Sequence, residues 1–357
     1  MRTALVVGGT GLVGGHLVDQ LVRSDDYSVI TVLVRQASFD SSPGLKEKVF
    51  DFKDEKSLTH LEPVQHVFCC LGTTIKKVND IVSTIPEHQI NDNQHSGQNF
   101  SGYVWAEDFL RTTNENNYME ILVEFSKKYS PNHKSTLPYT CDPTYRSEDI
   151  FFSSSVLGRV YKYTKESKYS NILSNYLINI PTQTKDGLFM HNLESGWNWG
   201  RSNGFAAIGY SEALTYLYDN KNKTEFADIL EKHILQIEAL VKIQNEDGTW
   251  MQVLNEKSSY HEFSVTCMLG YALARGIRMG WLDPKFSDSL NKAFDGIASR
   301  IDKTGKIKKV CVGTGVQNSL KEYLNRPAIS GFDHRGGSLL LWFLTEFILL
   351  QDSQKSS

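Results

Sequence analysis

From about residue 100 onward one pattern recurs, a polar turn followed by a helix that opens on an aromatic residue. It runs from Thr113 through Tyr118 to Leu122, from Thr164 through Tyr169 to Leu173, from Asn220 through Phe226 to Leu230, and more loosely around Phe286. The four aromatics stand 51, 57 and 60 residues apart. Between them a second element repeats: Lys185-Asp186-Gly187, Glu246-Asp247-Gly248 and Lys303-Thr304-Gly305, each read as a short loop or hairpin after an outer helix. The apolar spacing over Ile229 to Ile243 and Val265 to Ile277 is helical. About 55 residues per unit accommodates two helices and two connections. Such a unit cannot bury both faces alone. The repeats are therefore expected to stack about a common axis as a mostly α, α/α toroid, the alternative being an open helical solenoid.

Polar and aromatic residues gather where the inner helices would begin. The clusters are Asp92 to Gly97, Arg146-Ser147-Glu148-Asp149, Trp197 to Phe205, Tyr260 to Ser264, and Asp333 to Gly337. Any one of them fits a helix cap, since Asp, Ser and Asn favour that position. Five at equivalent points of successive repeats would converge on one concave end of a ring. There tryptophan offers a flat face to a sugar ring, arginine a fork for a carboxylate, and aspartate a proton.

The first 80 residues follow another rule. Thr3 to Gly8 reads as a buried strand, and Gly8, Gly11 and Gly14 stand three apart at the turn into a helix over His16 to Arg23. A tight turn, close backbone approach and a helix N-terminus together suit a pyrophosphate. A second strand, Ser28 to Val34, follows at βαβ spacing and ends at Arg35, a basic residue that suits the 2′-phosphate of NADP. Further strands are expected to end near Asp51 and over Val67 to Leu71.

The formal charge of −3 comes with no basic stripe, so no nucleic-acid partner is expected. The five cysteines include an adjacent pair, Cys69 and Cys70, unsuited to a disulfide framework or to zinc. No signal-peptide shape and no run of membrane-spanning length is present, so a soluble, cytoplasmic protein without a membrane partner is expected.

The stretches VVGGTGLVGGHL, TVLVR, VFDF and VFCCLGTTIKK resemble the amino-terminal half of the atypical NAD(P)-binding short-chain dehydrogenase/reductases. The resemblance implies that Gly8, Gly11 and Gly14 hold pyrophosphate and that Asp51 lies near adenine. It stops near Lys77, so residues 1–80 read as a partial Rossmann-like module. Tyr161 and Lys165 have the family's Tyr-x-x-x-Lys spacing but fall in a helix of the repeats, and hydride transfer is not expected.

Residues 90 to about 347 resemble the unsaturated uronyl hydrolases of glycoside hydrolase families 105 and 88. The motifs are INDNQHSGQ, RSEDIFF, DGLFMH, WGRSNGF, DGTWMQVL, SYHEFSVTCMLGYALARGI, VGTG, YLNRP and DHRGG, in order and at matching spacing. The resemblance implies an (α/α)6-type toroid over residues 90–350. It also implies an activity that releases 4,5-unsaturated uronic acid from oligosaccharides left by polysaccharide lyases, with an unsaturated rhamnogalacturonide preferred. The implied chemistry is protonation of the vinyl ether at C4 and addition of water at C5, which needs no metal or redox cofactor. Asp149 matches the general acid/base and Asp92 the aspartate beside it. Two neighbouring carboxyls that share a proton suit a donor working near neutral pH. Arg201 and Trp199 match the substrate-binding Trp-x-Arg, with Arg201 set for the uronate carboxylate. His191 and, less directly, His334 would line the same pocket.

The chain departs from that pattern twice. The nucleotide-type module stands where a first helical hairpin is usual, which leaves nearly five units rather than six, and Phe205 replaces a frequent tryptophan. Two further readings follow from these departures: a fusion with an NADP-binding sensor, and an inactive sugar-binding protein. The oligomeric state is not legible from sequence.

Overall fold

The computed structural model describes residues 2–10, 12–34, 39, 42–49, 64, 66–69, 97–129, 138 and 141–355. The chain divides into two compact units, Met1–Asn91 and Asp92–Ser357.

In the first unit β1 (Arg2–Val7) leads into α1 (Leu12–Arg23), followed by β2 (Tyr27–Val34), β3 (Leu45–Val49) and β4 (His66–Cys69). All pairings are parallel, in the order β3-β2-β1-β4. Parallel strands buried on a helix-covered face read as apolar runs. Accordingly Ala4, Val6, Ile30, Val32 and Val34 form one core with Val18 and Leu21 of α1. Gly8 has φ +83°, and a Cβ on Gly14 would lie 2.1 Å from the Gly8 carbonyl oxygen. Only a residue without a side chain lets α1 start this close to the strand end. Gly11, Arg35, Asp51 and Cys70 lie outside the described residues.

The second unit is helical. After α2 (Gly97–Ser101) and α3 (Ala106–Thr113), helices alternate between an outer and an inner layer. The outer ones are α4 (Asn117–Ser126), α6 (Ser167–Asn179), α8 (Thr224–Lys242) and α10 (Ser287–Ala298). The inner ones are α5 (Glu148–Thr164), α7 (Gly200–Tyr216), α9 (Phe263–Met279) and α12 (His334–Lys355). Short hairpins separate them, β5 (Trp250–Met251) with β6 (His261–Glu262), and β7 (Ile307–Cys311) with β8 (Ala328–Gly331), with α11 (Leu320–Leu324) between the last two. The inner helices pack side by side in chain order.

The sequence repeat has a physical basis. Tyr118, Tyr169, Phe226 and Phe286 are all buried at the start of an outer helix or just before it. In the second repeated element, the N–H groups of Thr184, Asn245 and Asp302 donate to the carbonyls of Leu188, Thr249 and Lys306. Gly187, Gly248 and Gly305 donate back at 2.9 Å each, with φ of +93°, +81° and +82°. Three copies of one turn require the left-handed backbone that glycine adopts without strain. Tyr161 and Lys165 sit at the end of α5, where Tyr161 accepts a hydrogen bond from Asn220, consistent with a chance match to the dehydrogenase spacing.

Candidate active site

The entry to α5 is braced by the loop before α7. Ser147 donates its N–H to the His191 carbonyl at 3.0 Å and its hydroxyl to the Met190 carbonyl at 2.6 Å. Asn203 at the start of α7 pairs with both backbone groups of Phe189, fixing that loop from the other side. This arrangement brings the RSED and DGLFMH motifs together.

Asp149 lies in the first turn of α5 and is 2 % exposed. The Asp142 N–H donates to its Oδ2 at 2.7 Å, and Arg146 Nη2 lies 3.8 Å from Oδ1. Burial dominates its titration and pushes the carboxyl up to about 7, against the pull of Arg146 and the Asp142 N–H and with help from the Glu148 and Asp142 charges. A carboxyl that holds its proton near neutral pH is a competent general acid.

Beside it, Glu148 anchors a chain of polar groups. His191 Nε2 lies 3.0 Å from Glu148 Oε1, and Nδ1 lies 2.6 Å from the Tyr323 hydroxyl. Because a carboxylate only accepts, the network assigns the Nε2–H to Glu148 and the Tyr323 O–H to Nδ1. The Tyr323 oxygen in turn faces Ser195 Oγ at 2.9 Å and accepts from the Gln317 N–H at 3.1 Å.

The residues expected to contact substrate take the following positions. Trp199 is 2 % exposed and packs on His191 with ring centroids 4.8 Å apart, so it backs the histidine and offers no free face to a sugar. The exposed indole of that motif is Trp197, at 37 %. Arg201 is 6 % exposed. Its Nε donates to Ser264 Oγ at 3.1 Å, its Nη2 donates to the Cys311 carbonyl, and Glu262 Oε1 lies 3.9 Å away. Glu262 itself caps α9 through the Val265 N–H. Arg201 is thus engaged inside the protein rather than held open for a carboxylate. His191 is fully buried and reaches Glu148 instead of open space. Phe205 is half-buried against Phe151 and Phe152, with ring centroids 5.8 Å apart in each case. His334 is exposed at the first turn of α12. Asp92 lies outside the described residues. The polar clusters before α9 and α12 do act as caps, through Glu262 and through Asp333, which accepts from the Gly336 N–H.

Sequence reasoning assigned no role to Glu148, Tyr323, Ser195 or Arg146. Glu148 and Arg146 stood in a quoted motif beside Asp149, and Tyr323 in YLNRP. Nothing local signalled that Tyr323 would meet a histidine 132 residues away. Among the described residues no group of acidic, histidine and cysteine side chains could hold a metal ion, and no helix is long and apolar enough to cross a membrane.

Comparison with known proteins agrees with the fold of this unit. The profile of Glycosyl Hydrolase Family 88 matches residues 194–351. The unsaturated rhamnogalacturonyl hydrolase YesR of Bacillus subtilis is 28 % identical over 182 residues, which are 50 % of this chain and 49 % of that protein. The chain thus spans about half the length of the curated relatives it matches. A family 105 glycoside hydrolase of Clostridium acetobutylicum (C. acetobutylicum ATCC 824) superposes with a TM-score of 0.64 at 20 % identity, covering 76 % of this chain and 88 % of the other. The unsaturated glucuronyl hydrolase of Bacillus sp. GL1, responsible for glycosaminoglycan degradation, superposes with a TM-score of 0.57 at 11 % identity over 78 % and 79 % of the two chains. Residues 194–351 therefore match the Glycosyl Hydrolase Family 88 model, in a helical unit with the α/α toroid fold of the family 88 and 105 hydrolases.

Proposed function

We propose that the helical unit releases 4,5-unsaturated uronic acid from lyase-generated oligosaccharides, with an unsaturated rhamnogalacturonide as the preferred substrate. The observation that carries this reading is the Asp149 carboxyl, buried and held protonated to about pH 7. It donates its proton to C4 of the vinyl ether, and water adds to the cation that develops at C5. The hemiketal so formed opens and expels the rest of the saccharide, and the proton of the added water returns to Asp149. Asp92 is assigned the second carboxyl role beside it. Glu148 holds His191, and His191 holds Tyr323, which fixes the wall next to Asp149. Trp197 supplies the aromatic face for a sugar ring. No metal or redox group takes part in any of these steps.

The test is loss of ultraviolet absorbance from an unsaturated rhamnogalacturonan disaccharide, with wild type and Asp149→Asn side by side. Turnover by wild type alone supports the reading. A folded wild type silent on pectin-derived and glycosaminoglycan-derived disaccharides sinks it, and binding without turnover would favour the sugar-binding alternative.

The first unit supports a second, separate reading, as an NADP-binding module. The left-handed Gly8 and the tight packing of Gly14 suit the turn that such a cofactor would meet. Arg35 would take the 2′-phosphate and Asp51 the adenine side. Titration with NADP and NAD checks it: no binding of either discards the reading, and equal binding discards the role of Arg35.

A further inference from the structure

The polar groups beside Asp149 form a row whose hydrogens can be placed one by one. Ser195 is buried, and among the described residues its Oγ meets only the Tyr323 hydroxyl, at 2.9 Å. The Gln317 N–H donates to the same Tyr323 oxygen at 3.1 Å. Were Tyr323 to donate to Ser195, the Ser195 hydrogen would be buried without an acceptor. Ser195 therefore donates to Tyr323, Tyr323 to His191 Nδ1 at 2.6 Å, and the His191 Nε2–H to Glu148 Oε1 at 3.0 Å. Every hydrogen points one way, and the row ends on Glu148. Its other oxygen, Oε2, is buried without a hydrogen-bond partner among the described residues. A proton there would be a donor with nothing to receive it, whereas an ionised Oε2 faces Arg146 Nε at 4.0 Å. The row thus favours Glu148 as an anion.

Three carboxyl groups then share one cation. Arg146 Nη2 stands 3.8 Å from Asp149 Oδ1, and its Nε is the group near Glu148. Asp142 Oδ1 accepts both the N–H and the hydroxyl of Thr144. With Glu148 charged at the end of its row and Asp142 served by two donors, the proton is left to Asp149, which accepts a single hydrogen bond, from the Asp142 N–H. The other titratable groups facing this cluster among the described residues are His191 and Tyr323 toward Glu148, Tyr176 toward Asp149 and Cys141 toward Arg146. Burial supplies most of the rise in the Asp149 carboxyl, and the Glu148 charge adds to it.

We propose that Tyr323 is a positioning residue for the proton donor: by donating to His191 Nδ1 it fixes the direction of this row, keeps Glu148 an anion, and so keeps the proton on Asp149. Without the Tyr323 hydroxyl, Nδ1 is an acceptor with nothing to accept. The ring then gains a proton there from solvent, or its hydrogen moves from Nε2 to Nδ1. In the first case a positive charge arrives beside Glu148. In the second, Glu148 takes up a proton to meet the bare Nε2. Either change weakens the negative charge that Asp149 feels, and Asp149 releases its proton at lower pH. The role in catalysis rests on the hydrolase reading above, whereas the protonation of Asp149 can be read without it.

The experiment follows, against pH, the protonated-carboxyl infrared band that Asp149→Asn removes. It compares wild type, Glu148→Gln and Tyr323→Phe, each checked for folding by circular dichroism. Glu148→Gln keeps the size and the acceptor for His191 without the charge, and Tyr323→Phe keeps the ring without the hydroxyl. The wild-type midpoint is expected at about 7. Both variants should move it to lower pH by roughly one unit, the effect of one neighbouring charge. The alkaline limb of kcat should move with the band, which lowers kcat at pH 7 about fivefold. Asp92 is the same in all of these proteins and cannot produce a difference between them. A wild-type midpoint in either folded variant overturns the proposal. A second measurement needs no substitution at Tyr323: nitrogen-15 NMR of histidine-labelled wild type at pH 7 should show His191 with Nδ1 bare and Nε2 protonated. A protonated Nδ1 overturns the proposal. No turnover by wild type removes the hydrolase reading alone, because the infrared and NMR readouts use no substrate and still decide this inference.

Discussion

Two clusters of buried charge on the inner helices, one midway along them and one around Asp149, are paired to different extents. Eleven or twelve residues along their helices, Arg159, Glu212, Arg275 and Glu346 meet in the interior together with Glu107 of α3. Each carboxylate there holds two donors: Glu212 takes Arg159 and Tyr271, Glu346 takes Arg275 and Arg278, and Glu107 takes Lys162 and Tyr216. At the amino-terminal end, among the described residues, Asp149 takes one hydrogen bond from Asp142 and Glu148 one from His191, with Arg146 too distant to donate to either. A buried cluster whose carboxylates each hold two donors spends its charge on structure. The more sparsely paired one keeps the Asp149 carboxyl protonated to about pH 7, which is what a proton donor needs.

The sharpest way to break this contrast is to remove Asp149. Asp149→Asn keeps the size and the acceptor for the Asp142 N–H but cannot deliver a proton, so turnover should fall by on the order of a thousandfold or more, about 4 kcal/mol in barrier height. In the wild type kcat should decline as pH rises through about 7, because only the protonated carboxyl is competent. A pH–rate profile flat to pH 9 would detach Asp149 from the proton transfer.

The other cluster should respond in stability rather than chemistry. Glu212→Gln leaves buried Arg159 with Glu107 as its one remaining carboxylate partner, and losing one partner of a buried pair costs up to about 3–5 kcal/mol. Urea denaturation measures this loss, and the acidic and basic limbs of the pH–rate profile should stay where they are in wild type. A moved profile would show that the two clusters are coupled.

How far the sequence foretold this contrast depends on where the partners lie in the chain. The turn at Gly187, Gly248 and Gly305 and the aromatics Tyr118, Tyr169, Phe226 and Phe286 were legible because each acts locally and recurs at nearly fixed spacing. Asp149 was legible from its motif, but its raised pKa was not, since burial is a property of the packed helices. The surroundings of Trp199 and Arg201 were not legible for the same reason. Residue type suggested a stacking face and an open fork, while groups packed around them, Tyr323 for one and Ser264, Glu262 and Cys311 for the other, come from segments far away in sequence. The carboxylates around Arg159 and Arg275 were not legible, although Arg275 stands in a quoted motif, because one charged residue per helix, 60 or so residues apart, looks like ordinary surface charge.

The smallest expected effect tests the cause assigned to Asp149. Its carboxyl titrates near 7 in the folded protein against an ordinary 3.8, so between those values the folded state holds a proton that the unfolded chain has released. Stability from this group is therefore full below about pH 4 and is lost as pH rises through 7. The whole shift amounts to about 4 kcal/mol, and about 2–4 kcal/mol is expected once the site relaxes. Asp149→Asn has no such proton to lose. The variant should match wild type near pH 4 and exceed it increasingly up to pH 8, the reverse of its effect on activity. His233 bends the acid side in both proteins. It is buried in α8 without a hydrogen-bond partner among the described residues and is lowered to about 3, so its contribution is lost as pH falls below its ordinary 6.5, and the difference between the two proteins cancels it. A stability difference that is constant with pH would show that burial does not hold the proton on Asp149, and would leave the two clusters alike in their electrostatics.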